Sequence, residues 1–155
     1  DGLFPADEHA ARGGRLAVGS DGNVRIDAAE ELRTLEFGQR LRTERRARLA
    51  TEEGLGAPLW TLVAAGGAAA LGARVGALEP GAFADLVVLD EDRPTWAGQG
   101  PARMLDALVV GGSRADLGDV YVGGRRVASG GRAAGGEEAA AGFRRVVARL
   151  AADLG

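Results

Sequence analysis

The stretch Gly19-Ser20-Asp21-Gly22-Asn23-Val24-Arg25-Ile26-Asp27 follows a short apolar run, Leu16-Ala17-Val18, and precedes an acidic, periodic segment. It therefore reads as a strand-to-helix turn that carries Asp21. Upstream, Arg12-Gly13-Gly14 is a helix-stop signal that separates this strand from whatever comes before it. In parallel α/β architectures such turns lie at the carboxyl ends of the strands, where active sites are assembled. Asp21 has two readings at this point: a turn residue or helix N-cap, which Asp favours, or a carboxylate placed to hold a catalytic metal.

Working outward, residues 5–11 read as a short helix, with Pro5 in its first turn and the acids Asp7 and Glu8 near its positive end. Asp27 and Glu30 have capping-box spacing and open a long amphipathic helix expected to reach about residue 50, with Leu32, Leu35, Leu41 and Leu49 as its buried stripe. Residues 51–57 form a Gly-containing loop. Pro58 then starts a helix to about Leu71 that is apolar nearly all round and is expected to be buried. The character changes after Gly72. Ala84-Asp85-Leu86-Val87-Val88-Leu89-Asp90 suits a strand buried on both faces. A short helix over residues 101–108 is expected to lead into a Val109-Val110 strand, and Gly123-Gly124 joins residues 119–122 to 126–128 as a hairpin. The Gly-rich residues 129–136 read as a linker. In the final helix, residues 137–154, Phe143, Val146, Val147, Leu150 and Leu154 share one face, which is expected to pack on a neighbouring surface.

A chain of 155 residues can bury one core. Its first residue is Asp, and the Leu3-Phe4-Pro5 segment joins no earlier element, so it reads as a fragment of a longer chain. All 19 basic residues are Arg, and the net charge is −3 with acids and bases interspersed, so no global field attracts a polyanion and nucleic acid is not an expected partner. Arg40, Arg42, Arg45, Arg46 and Arg48 alternate with Glu36 and Glu44 and lack aromatic neighbours; they read as a solvated helix face. Without Cys there is no disulfide or thiolate metal site, so any metal rests on His and carboxylate. No apolar run is long enough to span a bilayer and the first residues show no charged-then-apolar leader, so no membrane association is expected and the expected location is cytoplasmic.

Three blocks occur together and in order: Val18-Gly19-Ser20-Asp21, then residues 76–90 (Gly76-Ala77-Leu78-Glu79-Pro80-Gly81 through Asp90), then Val120-Tyr121-Val122-Gly123-Gly124-Arg125-Arg126-Val127. The combination resembles the C-terminal part of the amidohydrolase superfamily. That resemblance implies an α/β fold: the last strand and later helices of a metal-dependent (β/α)8 barrel in residues 1–73, the C-terminal part of a composite β-sandwich in 74–132, and a linker with a terminal helix in 133–155. Within the superfamily, residues 1–9, Gly19 to Asp27 and Glu30 to Arg42 look like the N-formimino-L-glutamate deiminases of histidine degradation, with residues 23–41 the discriminating part. Gly22 departs from the pattern, standing where a Ser or similar residue is expected.

The resemblance implies a zinc-dependent hydrolysis of N-formimino-L-glutamate to N-formyl-L-glutamate and ammonia, in a complete enzyme that is a homodimer. Asp21 matches the family's last metal ligand and would be catalytic. The other ligands and the acid/base Glu precede the region covered, so this segment alone is expected to be inactive. His9, within a helix, is read as a structural or surface residue, and Asp85 and Asp90 as edge and turn residues. Arg25 is the candidate substrate-binding residue, since a guanidinium suits a carboxylate, but it could equally pair with Asp27 or Glu30. Two alternatives stand beside this reading: another aminohydrolase of the superfamily, of purine or triazine type, and a catalytically silent scaffold.

Overall fold

The computed structural model describes residues 2–22 and 24–154. In chain order it contains α1 (Ala6–Ala11), α2 (Ala28–Thr43), α3 (Gly56–Leu71), β1 (Leu86–Leu89), α4 (Pro101–Gly111), β2 (Leu117–Val122), β3 (Arg125–Ser129), β4 (Arg132–Ala133) and α5 (Gly136–Leu154). Leu32, Leu59, Val63 and Val109 form the main buried cluster, joined by Ala6, Leu16, Leu49 and Leu55. A smaller cluster of Ala29, Trp96 and Leu108 lies around α4, with Trp60 packed against both.

Helix α2 starts where the sequence indicates. Asp27 is its N-cap, its Oδ1 accepting from the backbone N–H of Ala29 at 3.0 Å and of Glu30 at 3.4 Å. The helix ends at Thr43, not near residue 50, because Glu44 and Ala47 take left-handed φ values of 53° and 52° that turn the chain back. The buried Glu36 holds this return: it accepts from the N–H of Arg48 at 3.1 Å and of Leu49 at 2.8 Å, and from Arg40 Nε at 2.7 Å. Leu41, inside the helix, is exposed, contrary to expectation, whereas Leu32 and Leu49 are buried as expected. The arginines are more than a solvated face. Arg42 and Arg48 converge on the buried carboxylate of Asp7 in α1, Arg48 Nη2 lying 2.7 Å from Oδ2.

Helix α4 is locked to α2 by Arg33. Its Nε donates to the carbonyls of Val109 at 2.8 Å and Val110 at 2.9 Å, and its Nη2 to those of Leu108 and Gly112. These are carbonyls of a helix C-terminus, where a guanidinium is favoured both as donor and as positive charge. Val109 and Val110 consequently belong to the helix and not to a strand. Asp106, on the same helix, accepts from the N–H of Leu55 at 2.9 Å and of Gly56 at 2.6 Å, which caps α3 from outside.

Three further expectations are corrected by the burial pattern. Helix α3 buries Leu59, Val63 and Gly66 but exposes Ala69, Ala70 and Leu71, so it is one-sided. β1 is not covered on both faces, since Val87 and Val88 are each 46% exposed. Nor do residues 129–136 form a linker. Gly130 and Gly131, at φ 55° and 76°, repeat the geometry of Gly123 and Gly124, at 56° and 77°, and turn the chain into β4. Both pairs supply the two positive φ values of the hairpin turn that matches strand twist. The sheet has the order β1-β2-β3-β4 with antiparallel neighbours throughout, Leu86 opposite Tyr121 and Val120 opposite Ala128.

Replacing Arg33 by Ala removes the guanidinium donors from the carbonyls of Val109, Val110 and Gly112 and is expected to cost about 1.5–3 kcal/mol, the range for hydrogen bonds to a charged group, measured by urea denaturation of wild type and variant. Acid sensitivity follows from Asp7 and Asp106. The hydrogen bond from Arg48 holds Asp7 below the ordinary 3.8, overcoming its burial. Burial alone would raise Asp106, but the N–H of Gly56, Arg103 and the N–H of Leu55 outweigh it and lower it below 3.8. A folded pKa beneath the unfolded one gives stability that is complete above the unfolded pKa and is lost as pH falls through the folded one. Stability should thus fall below about pH 4, and Asp7→Asn should make that decline shallower.

Candidate functional site

The extended leg that leads to Asp21 is clamped from two sides. On one side the His9 ring lies against Gly14, where a Cβ would come within 2.2 Å of Nε2. That Nε2 lies 3.2 Å from the carbonyl of Arg15. A carbonyl can only accept, so Nε2 carries the proton. An edge contact with Phe4 at 5.5 Å between centroids completes the setting of the ring. His9 is a structural residue, as the sequence indicates. On the other side α3 presses on the leg at Gly66, where a Cβ would lie 1.7 Å from the carbonyl oxygen of Leu16. Only glycine permits that approach, which accounts for Gly66 in the middle of α3.

The strand expected at Leu16-Ala17-Val18 is not part of a sheet. The segment is extended and Leu16 is buried, but a sheet strand needs a hydrogen-bonded neighbour and no described residue flanks it as one. Beyond it, Asp21 stands exposed in a turn at φ 42°, a left-handed conformation that Asp tolerates better than most residues. Asn23 lies outside the described residues.

The downstream end of the loop is anchored by Asp27. Besides capping α2, its Oδ2 accepts from the N–H of Arg114 at 2.9 Å, a contact between residues 87 positions apart. Asp27, and not Asp21, is therefore the N-cap, which removes one of the two structural readings of Asp21. Arg25 takes the structural option open to it and pairs with Glu30 at 2.9 Å, with Arg25 two-thirds exposed. Glu30 thus faces Arg25, and of the expected capping box only the Asp27 half is formed among the described residues. Asp85 accepts from the N–H of Gly123 at 2.6 Å, and Asp90 pairs with Arg93 at 2.8 Å, so both serve turns as expected.

Among the described residues no hydrogen bond or ion pair engages the Asp21 carboxylate, and no group of three His, Cys, Asp or Glu side chains could hold a metal. A free, exposed carboxylate on a braced turn suits one ligand of a cation. It does not make a site, because a catalytic zinc takes three protein ligands. Asp21 and Arg25 share a loop, but nothing in the fold brings their side chains together. The groups that set this loop, Arg33, Gly66 and the second acceptor role of Asp27, escape sequence reading because each acts on a partner distant in the chain. The Gly66-Gly67 pair inside a helical pattern is the one local signal of close packing.

The chain is 46% identical over 117 residues to a formimidoylglutamate deiminase of Pseudomonas aeruginosa, a match that covers 74% of this chain and 26% of that protein. It is 35% identical over 97 residues to a 5-methylthioadenosine/S-adenosylhomocysteine deaminase of Pelotomaculum thermopropionicum, covering 60% of this chain and 21% of that one. The crystal structure of an amidohydrolase from Brucella melitensis superposes with a TM-score of 0.84 at 38% identity, over 97% of this chain and 33% of that chain. The chain thus spans about a quarter of the length of the curated relatives it matches. The model of the amidohydrolase family matches residues 1–127, and the chain belongs to that family.

Proposed function

We propose that the complete protein deiminates N-formimino-L-glutamate, and that these residues supply one metal ligand and the loop that carries it. The observation that carries this reading is the likeness to the Pseudomonas deiminase, which exceeds that to the nucleoside deaminase in both identity and extent. In the reaction a water oxygen bonds to the formimino carbon and becomes the formyl oxygen, the double bond from that carbon to the terminal nitrogen breaks, and the nitrogen takes both protons of the water and leaves as ammonia. The product is N-formyl-L-glutamate.

Asp21 is the residue of this chain assigned to the metal and to catalysis. In the complete protein Asp21 would be one of the residues that hold the metal, taken to be zinc, which when bound would lower the pKa of a water to about 7. A carboxylate has two oxygens, so Asp21 can ligate through one and accept a proton at the other. Arg25, on the rim of the same loop, is proposed as a contact for a substrate carboxylate, which would have to compete with Glu30 for the guanidinium. The remaining parts of the reading are a (β/α)8 barrel portion in residues 1–73, a β-sandwich portion in 74–132, a terminal segment in 133–155, a cytoplasmic homodimer and a role in histidine breakdown. No helix of the described residues is long and apolar enough to cross a membrane.

The second reading, a purine-type deaminase, has the Pelotomaculum relative in its favour. Ammonia release by the full-length protein separates the two. Release from N-formimino-L-glutamate at least about 100-fold faster than from 5-methylthioadenosine, a gap of about 2.7 kcal/mol, is the expected result. Preference for the nucleoside would replace this reading with the second.

A further inference from the structure

Helix α5 has 19 residues and no buried side chain among them. Phe143, Val146, Val147, Leu150 and Leu154 recur at three- and four-residue spacing and are from 44% to 89% exposed. With Ala139 and Ala140 they make an apolar stripe wider than the two-position seam of a paired coiled coil and typical of a helix lying on a broad protein surface. Its one described side-chain tie to the rest of the chain is the Arg132–Glu137 pair at 3.1 Å, both partners largely exposed, which holds little. A helix of this length alone in water is marginal.

The Brucella structure bears on what covers the stripe. A match over 97% of this chain cannot leave out a helix of 19 residues, so α5 has a counterpart in a polypeptide about three times as long. Residues 2–135 bury none of its side chains, yet the likeness extends through it. We propose that α5 docks through Phe143, Val146, Val147, Leu150 and Leu154 on the part of its own polypeptide that lies outside these 155 residues, and so acts as a clasp between the two parts. This rests on membership of the amidohydrolase family and not on the substrate reading, so neither fails with the other.

Hydrogen exchange by mass spectrometry on the full-length protein tests it, at two well-separated protein concentrations. The expected result is that the central amides of α5 exchange about 100-fold or more slowly than in a free helix, equally at both concentrations. Phe143→Glu with Leu150→Glu should abolish that protection, while Ala152→Glu on the opposite face should leave it. Exchange as fast as a free helix in the wild type would overturn the proposal. So would protection that is lost on dilution together with a halving of mass, since the cover would then be a second copy. The wild-type measurement decides the matter even if the double variant does not fold.

Discussion

One guanidinium makes the densest polar tie between the first and second halves of this chain. Arg33 extends from α2 to the end of α4 and gathers the carbonyls of Leu108, Val109, Val110 and Gly112. Of these, the Leu108 carbonyl also accepts from the N–H of Gly112 at 3.0 Å, but those of Val109 and Val110 lie past the last intrahelical donor, so the contact satisfies an electrostatic need that packing alone leaves open. Once α4 is fixed in this way, its Asp106 reaches the N-terminus of α3, and Val109 and Leu108 enter the two buried clusters. The N–H of Arg114, just beyond α4, then meets Asp27 at the start of α2. α2, α3 and α4 are thus joined by side chains that complete one another's helix ends.

The candidate site depends on that joint at a distance. Asp21 makes no hydrogen bond or ion pair with any described residue, yet both ends of its loop are determined. One end is the leg at Leu16, held by the approach of Gly66 and by the His9 ring. The other is Asp27, satisfied by three backbone donors drawn from two parts of the chain. A carboxylate held on such a support without partners of its own is free to accept a ligand, which is what a metal-binding role requires.

Local chemistry was legible in the sequence. Asp27 as cap, the Gly123-Gly124 hairpin, the structural role of His9 and the turn position of Asp21 each rest on residues within a few positions of one another. What was not legible depends on distant partners or on their absence. The end of α2 at Thr43 is determined by Glu36 capturing the N–H groups of Arg48 and Leu49, which no helix pattern reveals. Val109 and Val110 have strand-forming side chains, but their carbonyls meet Arg33 from 76 and 77 positions away and they finish a helix. The expected burial of β1, of the outer face of α3 and of α5 was read from apolar runs that the described residues do not cover.

The account turns on Asp21 being a metal ligand. The most direct measurement is the metal content of the purified full-length protein and of its Asp21→Ala variant by elemental analysis, with circular dichroism to confirm equal folding. The account predicts about one bound ion per chain in the wild type and a small fraction of that in the variant. Undiminished metal in a folded Asp21→Ala protein that still turns over substrate would contradict it.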